Sequence, residues 1–289
     1  MDTCIPKTTL DALISLMDEP DEQAFGKIHE RILLLGNDAI RPLESALENT
    51  FQPVVRDRIA SLLHLLRQAR LRDEIEDWIA TGSSDLLKGF ILVTRTEFPG
   101  LDEQKIVAAI EQLRVDIWVE LHDSLTSLEN VRVMNHVIFD IGQFGGNKND
   151  PAAVSNNYIN RLLETRLGNP LSIGMLYLIL ARRLGLPVWG VNLPQHFILA
   201  YLTDPGIAEP REDDVLFYIN PFNRGTVFTR REIDLFVRQL KIKPEESFFT
   251  PCSNPVIIRR LIQSLIFSYK QVGDPGKTED LESLLTLFE

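Results

Sequence analysis

Cysteine is nearly absent from this sequence. Only Cys4 and Cys252 occur among 289 residues, which excludes a disulfide framework and a cysteine-rich zinc site. Each is read as a small thiol without a role, and a disulfide joining the chain ends is the alternative. Cys252, in "FFTPCSNP", lies among turn formers rather than at a recognisable helix start. Basic residues are also in deficit, with 30 Lys and Arg against 41 Asp and Glu for a net charge of -11. Phosphate affinity rests on clustered Lys and Arg, so nucleic acid is not an expected partner. Arg166, Arg182 and Arg183 are the only hint of a basic patch. Long apolar runs are missing as well. The best, residues 173–180, falls short of the roughly 18 residues a membrane span needs, and it runs into Arg182 and Arg183. No membrane partner is expected. The opening "MDTCIPKTTLDAL" has no apolar segment of a signal peptide, so the expected location is the cytoplasm.

What is present is an ordinary globular composition, 44% hydrophobic and 25% charged, enough to bury a sizeable core in one large domain or two smaller ones. Apolar residues recur at three- and four-residue spacing over residues 10–121, as in Ile28, Ile32, Leu33 and Leu35, then Ile40, Leu43 and Leu47. Turn signals at Gly36-Asn37-Asp38, Gln52-Pro53, Thr81-Gly82-Ser83 and Pro99-Gly100 separate the helices. Residues 1–83 resemble a HEAT-like helical region, read as a packing platform, with a peptide-binding groove as the functional alternative. After Phe144 the character changes. Gly and Asn become frequent, helices are expected over 156–166 and 170–184, and strands over 188–193, 197–202 and 215–219. "TDPGIAEPREDD" reads as an exposed acidic hairpin loop. Residues 251–289 return to helical periodicity and resemble a tetratricopeptide-like hairpin.

The residues from Gly168 to Pro187 carry a further resemblance. "GNPLSIGMLYLILARRLGLP" is similar to the central helix of the transglutaminase-like superfamily, whose papain-like core uses a Cys–His–Asp triad. The pattern falls on Gly168, Gly174, Leu176, Arg182, Leu184 and Gly185-Leu186-Pro187. The resemblance places the triad's histidine at His196 in "PQHF" and its acid at Asn220 in "INPFNRG". Pro170 stands at the cysteine's position. A thiolate would gain there from the unpaired N–H groups and positive dipole end of a helix; proline suits the same place as a start residue and is no nucleophile. Asn220 can orient an imidazole but carries no charge to offset its proton. More closely, the chain resembles the SirB-type (transglutaminase-like core 2) family, through Phe144-Gly145-Gly146, Asn157-Tyr158, the Pro194-Gln195-His196-Phe197 run and Asn220-Pro221-Phe222-Asn223-Arg224-Gly225. That family lacks the cysteine too. Gln195 in place of Gly and Asn220 in place of Asp are this chain's departures.

Together these imply an α+β protein: an N-terminal helical layer, a papain-like, transglutaminase-like core over residues 84–250 with its central helix on an antiparallel sheet, and C-terminal helices. The leading expectation is a non-catalytic protein whose degenerate cleft (Pro170, His196, Asn220) binds a peptide or protein, with Asn192, Gln195, Asn157, Tyr158 and Ser172 as further binding residues. The alternative is a hydrolase or peptidase that uses Ser172 or a water activated by His196. Against Ser172 stands its place two positions beyond Pro170, a rotation of about 200° on an α-helix; an N-terminal-turn hydroxyl serving the backbone, with Asn169 as N-cap, is the plainer reading. A third possibility is an adaptor whose helical layers hold the partner. Asn156 and Asn160 fit either a cleft lining or loop hydrogen bonding. His136 and Asp140, four apart, read as a helix-face pair rather than metal ligands, and Gly145-Gly146-Asn147 lacks the Lys-Ser/Thr ending of a phosphate loop. No cofactor and no metal are expected, and the oligomeric state is left open.

Overall fold

The computed structural model describes residues 7–288, with side chains from Leu10 onward. Cys4 lies outside the described residues. The chain divides into two compact units, Met1–Asp77 and Trp78–Glu289.

In the first unit α1 (Lys7–Ser15), α2 (Glu22–Leu33), α3 (Ile40–Asn49) and most of α4 (Pro53–Ala80) follow one another. The stripes read from the sequence face inward: Ile28, Ile32, Ile40 and Leu43 join Ile59 and Leu62 in one core. The Asp21 carboxylate accepts the Gln23 N–H at 3.1 Å and caps α2. Gly36, at φ 56°, makes the turn toward α3 that a side chain would oppose. Arg58 bonds the Met17 and Glu19 carbonyls at 3.0 and 2.8 Å and stacks on Phe25, which fixes the chain between α1 and α2.

The second unit begins with the end of α4 and continues through α5 (Leu86–Thr94), α6 (Glu103–Trp118) and α7 (Ser127–Asn135), which passes into a π-helical turn, His136–Ile141. A short β1 (Gly145–Gly146) pairs in parallel with β2 (Leu167–Gly168) on either side of α8 (Ile159–Thr165). Then come α9 (Pro170–Arg183), β3 (Val188–Val191), β4 (Ile198–Leu202), β5 (Val215–Asn220), β6 (Thr226–Phe228), α10 (Arg230–Gln239), β7 (Pro251–Cys252), α11 (Asn254–Val272) and α12 (Pro275–Leu285). Strands β3 to β7 form one antiparallel sheet in the order β6-β5-β4-β3-β7. The fold is the α+β, transglutaminase-like arrangement expected of the sequence.

Several boundaries differ from the periodicity. The first expected helix starts at Ile159, because Val154–Asn157 form a 3-10 turn. The strand expected over 188–193 ends at Val191, where the chain turns through Leu193 and the donor-less Pro194, and the His196 N–H bonds the Leu193 carbonyl at 3.1 Å. Helix α10 and strands β6 and β7 were not anticipated.

Helix α9 is buried on every side. Residues 171–181 are all buried, as a sequence apolar around the whole helix, with Ser172 its one polar side chain, requires. Its seat on the sheet is set by two missing side chains. A Cβ on Gly174 would lie 2.5 Å from Cδ1 of Phe197, and one on Gly190 would lie 2.7 Å from Cζ of the same ring. Phe197, itself 1% exposed, therefore fills the space between helix and strand. Gly174→Ala is expected to lower stability by about 1–3 kcal/mol through overpacking. Denaturant unfolding checks this, and Gly174→Ala combined with Phe197→Leu should recover part of the loss.

Candidate functional site

The start of α9 is built for capping. The Asn169 side chain accepts the Ser172 N–H at 2.8 Å, and the Ser172 hydroxyl accepts the Asn169 N–H at 3.0 Å, a reciprocal capping box around Pro170 at the first helical position. The Asn169 amide donates in turn to the Asn157 side-chain oxygen at 2.7 Å, and that oxygen also accepts the Ser264 hydroxyl at 2.7 Å. Asn157 thus ties α9 to α11. The Ser172 hydroxyl, fully buried, donates to the Asn169 carbonyl at 3.3 Å; no hydrogen bond among the described residues joins it to His196. Tyr158 belongs to the same brace. Its hydroxyl meets that of Tyr269 at 2.8 Å, and Tyr269 donates to Glu97, which also pairs with Lys277 at 2.9 Å. Asn156 bonds the Asn147 amide and loop carbonyls.

His196 faces a different helix. Its neighbour Phe197 turns to α9, whereas the His196 ring turns to α10, with its centroid 4.7 Å from that of Phe236. Successive side chains of an extended segment point to opposite faces, so the imidazole lies on the sheet face that α10 covers. There it lines a cavity of about 260 Å³ together with Asn220, Asn223, Thr226 and Glu232. The apolar wall comes from Leu193, Ile198, Phe228, Ile233 and Phe236. The register explains the grouping: Asn220 of β5 pairs with Thr226 of β6, so both side chains share one face. Pro170 and Ser172 do not line this cavity.

The Asn220 loop is anchored at several points. The Asn220 oxygen accepts the Asn223 N–H at 3.2 Å. The Asn135 amide, at the end of α7, donates to the Gly225 carbonyl at 3.0 Å, and Gly225, at φ 70°, has no room for a Cβ against that side chain. Arg224 pairs with Asp140, which also meets His136 Nδ1 at 3.2 Å. The His136 hydrogen bond first, and then the Arg224 charge, hold the Asp140 carboxyl below the usual carboxylate range. Phe222 packs over Gly146 of β1. The His136–Asp140 pair is thus a clasp on this loop.

The Nδ1 atom of His196 is buried without a hydrogen-bond partner. With that atom unpartnered, Asn220 does not orient the ring through Nδ1 as the third member of a triad would; its oxygen accepts the Asn223 N–H instead. Of the other expected binding residues, Gln195 is exposed in the turn at φ 61°, and Asn192 accepts from Arg260. Arg260 also bonds the Leu193 carbonyl at 2.9 Å. The sequence reading missed Asn223, Thr226, Glu232 and Phe236. A signal for the last two existed, since Thr229-Arg230-Arg231-Glu232 spells a capping box, and the Thr229 N–H donates to Glu232 at 2.7 Å. Cys252 lies apart from this cavity; burial pushes its thiol up to about 12, against the opposing charges of Arg260 and Arg182.

A helix opened by proline, an antiparallel sheet and a histidine-bearing turn are the parts from which the family can be identified. A family model described as the transglutaminase-like superfamily matches residues 104–263, and the chain belongs to that superfamily. Among curated proteins it is similar to a UPF0162 protein of Xylella fastidiosa, 31% identical over 157 residues that make up 53% of this chain and 51% of the relative. It is also similar to human F-box only protein 21, 29% identical over 157 residues, 54% of this chain and 24% of that protein. A UPF0162 protein of Pseudomonas aeruginosa is 23% identical over 201 residues, 69% of this chain and 70% of the relative. The chain spans about half the length of the Xylella relatives it matches. No solved structure matches it.

Replacing Asn169 by Ala should lower stability by about 1–2 kcal/mol, because it removes the cap and one partner of Asn157; thermal and denaturant unfolding measure it. Alkylation of Cys252 should be slow at pH 8 in the folded protein and fast once unfolded. Its thiol binds a proton more tightly folded than unfolded, so its contribution to stability is complete below the unfolded value of about 8.5 and is lost as pH rises through about 12.

Proposed function

We propose that this chain is a non-catalytic member of its superfamily and that the cavity around His196 and Asn220 binds a peptide segment of a protein partner, with the surrounding helices as scaffold. The observation that carries this reading is the divergence of His196 and Phe197. It turns the imidazole to α10 while the helix that would carry a nucleophile packs on Phe197. Pro170 supplies no nucleophile, and the Ser172 hydroxyl is engaged by Asn169. The cavity itself combines an apolar wall with a few convergent polar groups, the usual character of a recognition site.

The comparisons support a modular reading. The matched region occupies 24% of human F-box only protein 21, so a related segment serves within a much longer chain. Residues 1–83 as a HEAT-like platform and 251–289 as a tetratricopeptide-like hairpin belong to the same proposal.

Peptides selected from a random display library on the immobilised chain test it. The expected outcome is peptides whose affinity falls about tenfold or more, roughly 1.4 kcal/mol, with His196→Ala or Phe236→Ala, and no amidase, protease or acyl-transfer turnover. Thiol-dependent turnover lost in a Cys4→Ser, Cys252→Ser double variant, or turnover lost in Ser172→Ala, would contradict the proposal. Binding that survives His196→Ala would place recognition on the helices instead.

A further inference from the structure

The cavity at His196 opens beside a free sheet edge. Strand β6 has β5 on one side and, among the described residues, no strand on the other. Which of its backbone groups face outward follows from one proline. Asn220 pairs with Thr226, and a bridge made through the flanking residues would need an N–H from Pro221, which has none. Asn220 and Thr226 therefore exchange the ladder bonds themselves, as do Tyr218 and Phe228 two residues on. Val227, between them, points its N–H and C=O away from β5. Neither group meets a hydrogen-bond partner among the described residues, whereas the nearby Gly225 carbonyl is taken by Asn135 and the Thr229 N–H by Glu232. The edge thus offers one donor and one acceptor, spaced for a single residue of an extended chain.

The cavity sets what flanks that residue. Its exposed lining residues, Asn223, Thr226 and Glu232, mark the mouth, and Leu193, Ile198 and Ile233 are buried at its floor. At about 260 Å³ it lies below the roughly 300–1,000 Å³ of small-molecule sites, a size for one side chain. Thr226 and Phe228 both line it, so the mouth is on their face of β6. In a strand docked on Val227, the residue that takes both bonds points its side chain to the opposite face, and its two neighbours point to the cavity face. The neighbour beside Thr226 reaches the mouth and the apolar floor. The neighbour beside Phe228 meets Glu232, which is held at the end of β6 by Thr229 and is the one acid of the lining. Glu232 Oε2 accepts the Thr229 N–H and hydroxyl, and its Oε1 has no partner among the described residues. A Lys or Arg complements that charge, since the lining holds no Lys or Arg of its own.

We infer that the partner segment binds as an added strand on the free edge of β6. It exchanges two backbone hydrogen bonds with Val227 and carries, on either side of the paired residue, an apolar residue for the cavity and a Lys or Arg for Glu232. The inference rests on the reading of the His196 cavity as a peptide site, and adds to it the mode of binding and the sequence class of the partner.

The probes are peptides selected on the immobilised full chain from a random display library, then synthesised with each backbone amide N-methylated in turn. Methylation of the paired residue is expected to weaken binding about tenfold or more, and methylation of either neighbour by less than about threefold. Val227→Pro removes the outward N–H, a change that an edge strand tolerates, and should also weaken the unmethylated peptide about tenfold. If that variant unfolds, the methylation scan decides alone. Glu232→Gln keeps the capping box and should weaken the peptide about threefold while flattening the salt dependence of its binding. Peptides that need His196 but tolerate methylation at every position, or that lack a basic residue two positions from an apolar one, overturn this inference and leave the cavity reading standing. Peptides indifferent to His196→Ala, or a selection that yields none, overturn both.

Discussion

The ring of Phe197 occupies space that two glycines leave open, Gly174 on α9 and Gly190 on β3. That contact seats the central helix on the sheet. It also fixes register, because in an extended segment one residue's commitment to a face sends its neighbours to the other. With Phe197 under α9, His196 and Ile198 face α10, and Asn220, Thr226 and Phe228 join them there through the strand pairing. The position of the candidate site is thus a consequence of how one aromatic side chain is packed.

The start of α9 follows a separate logic. Asn169, Ser172, Asn157 and Ser264 satisfy one another in a closed polar network around Pro170. The unpaired N–H groups of a helix start, which could polarise a nucleophile, serve instead to hold loop, helix and α11 together. His136, Asp140, Arg224, Asn135 and Gly225 play the corresponding part for the Asn220 loop. The two braced segments are neighbours, since the turn at Pro221–Asn223 packs on α9 and Phe222 covers Gly146, whose strand partner Gly168 leads into Asn169; what separates the polar groups is the side of the sheet to which the His196 ring turns.

Much of this was legible in the sequence. The apolar run after Pro170 marked a buried helix, Asn169 and Pro170 marked its start, and the motifs around Gly168, His196 and Asn220 pointed to the superfamily that residues 104–263 match. Ser172 was correctly placed in a helix turn, where its hydroxyl serves Asn169. What periodicity could not convey was facing. His196 and Phe197 are adjacent in sequence, and only the pairing of Phe197 with Gly174 and Gly190 decides which side each takes. Asn157 and Tyr158 looked like cleft residues because Asn and Tyr bind ligands as readily as they brace loops, and their partners, Ser264 and Tyr269, lie more than a hundred residues away. Helix α10 was overlooked because its apolar face is narrow, with Ile233 and Val237 its buried residues, although its capping box was visible.

Installing a thiol at the start of α9 tests the central claim most directly. In a Cys4→Ser, Cys252→Ser background, the pH dependence of alkylation of a Pro170→Cys variant reports that thiol's ionisation. If the imidazole faces α10, adding His196→Ala leaves the alkylation profile unchanged. A profile displaced to higher pH by that second substitution would mean that His196 reaches the start of α9 and that the two form a catalytic pair after all.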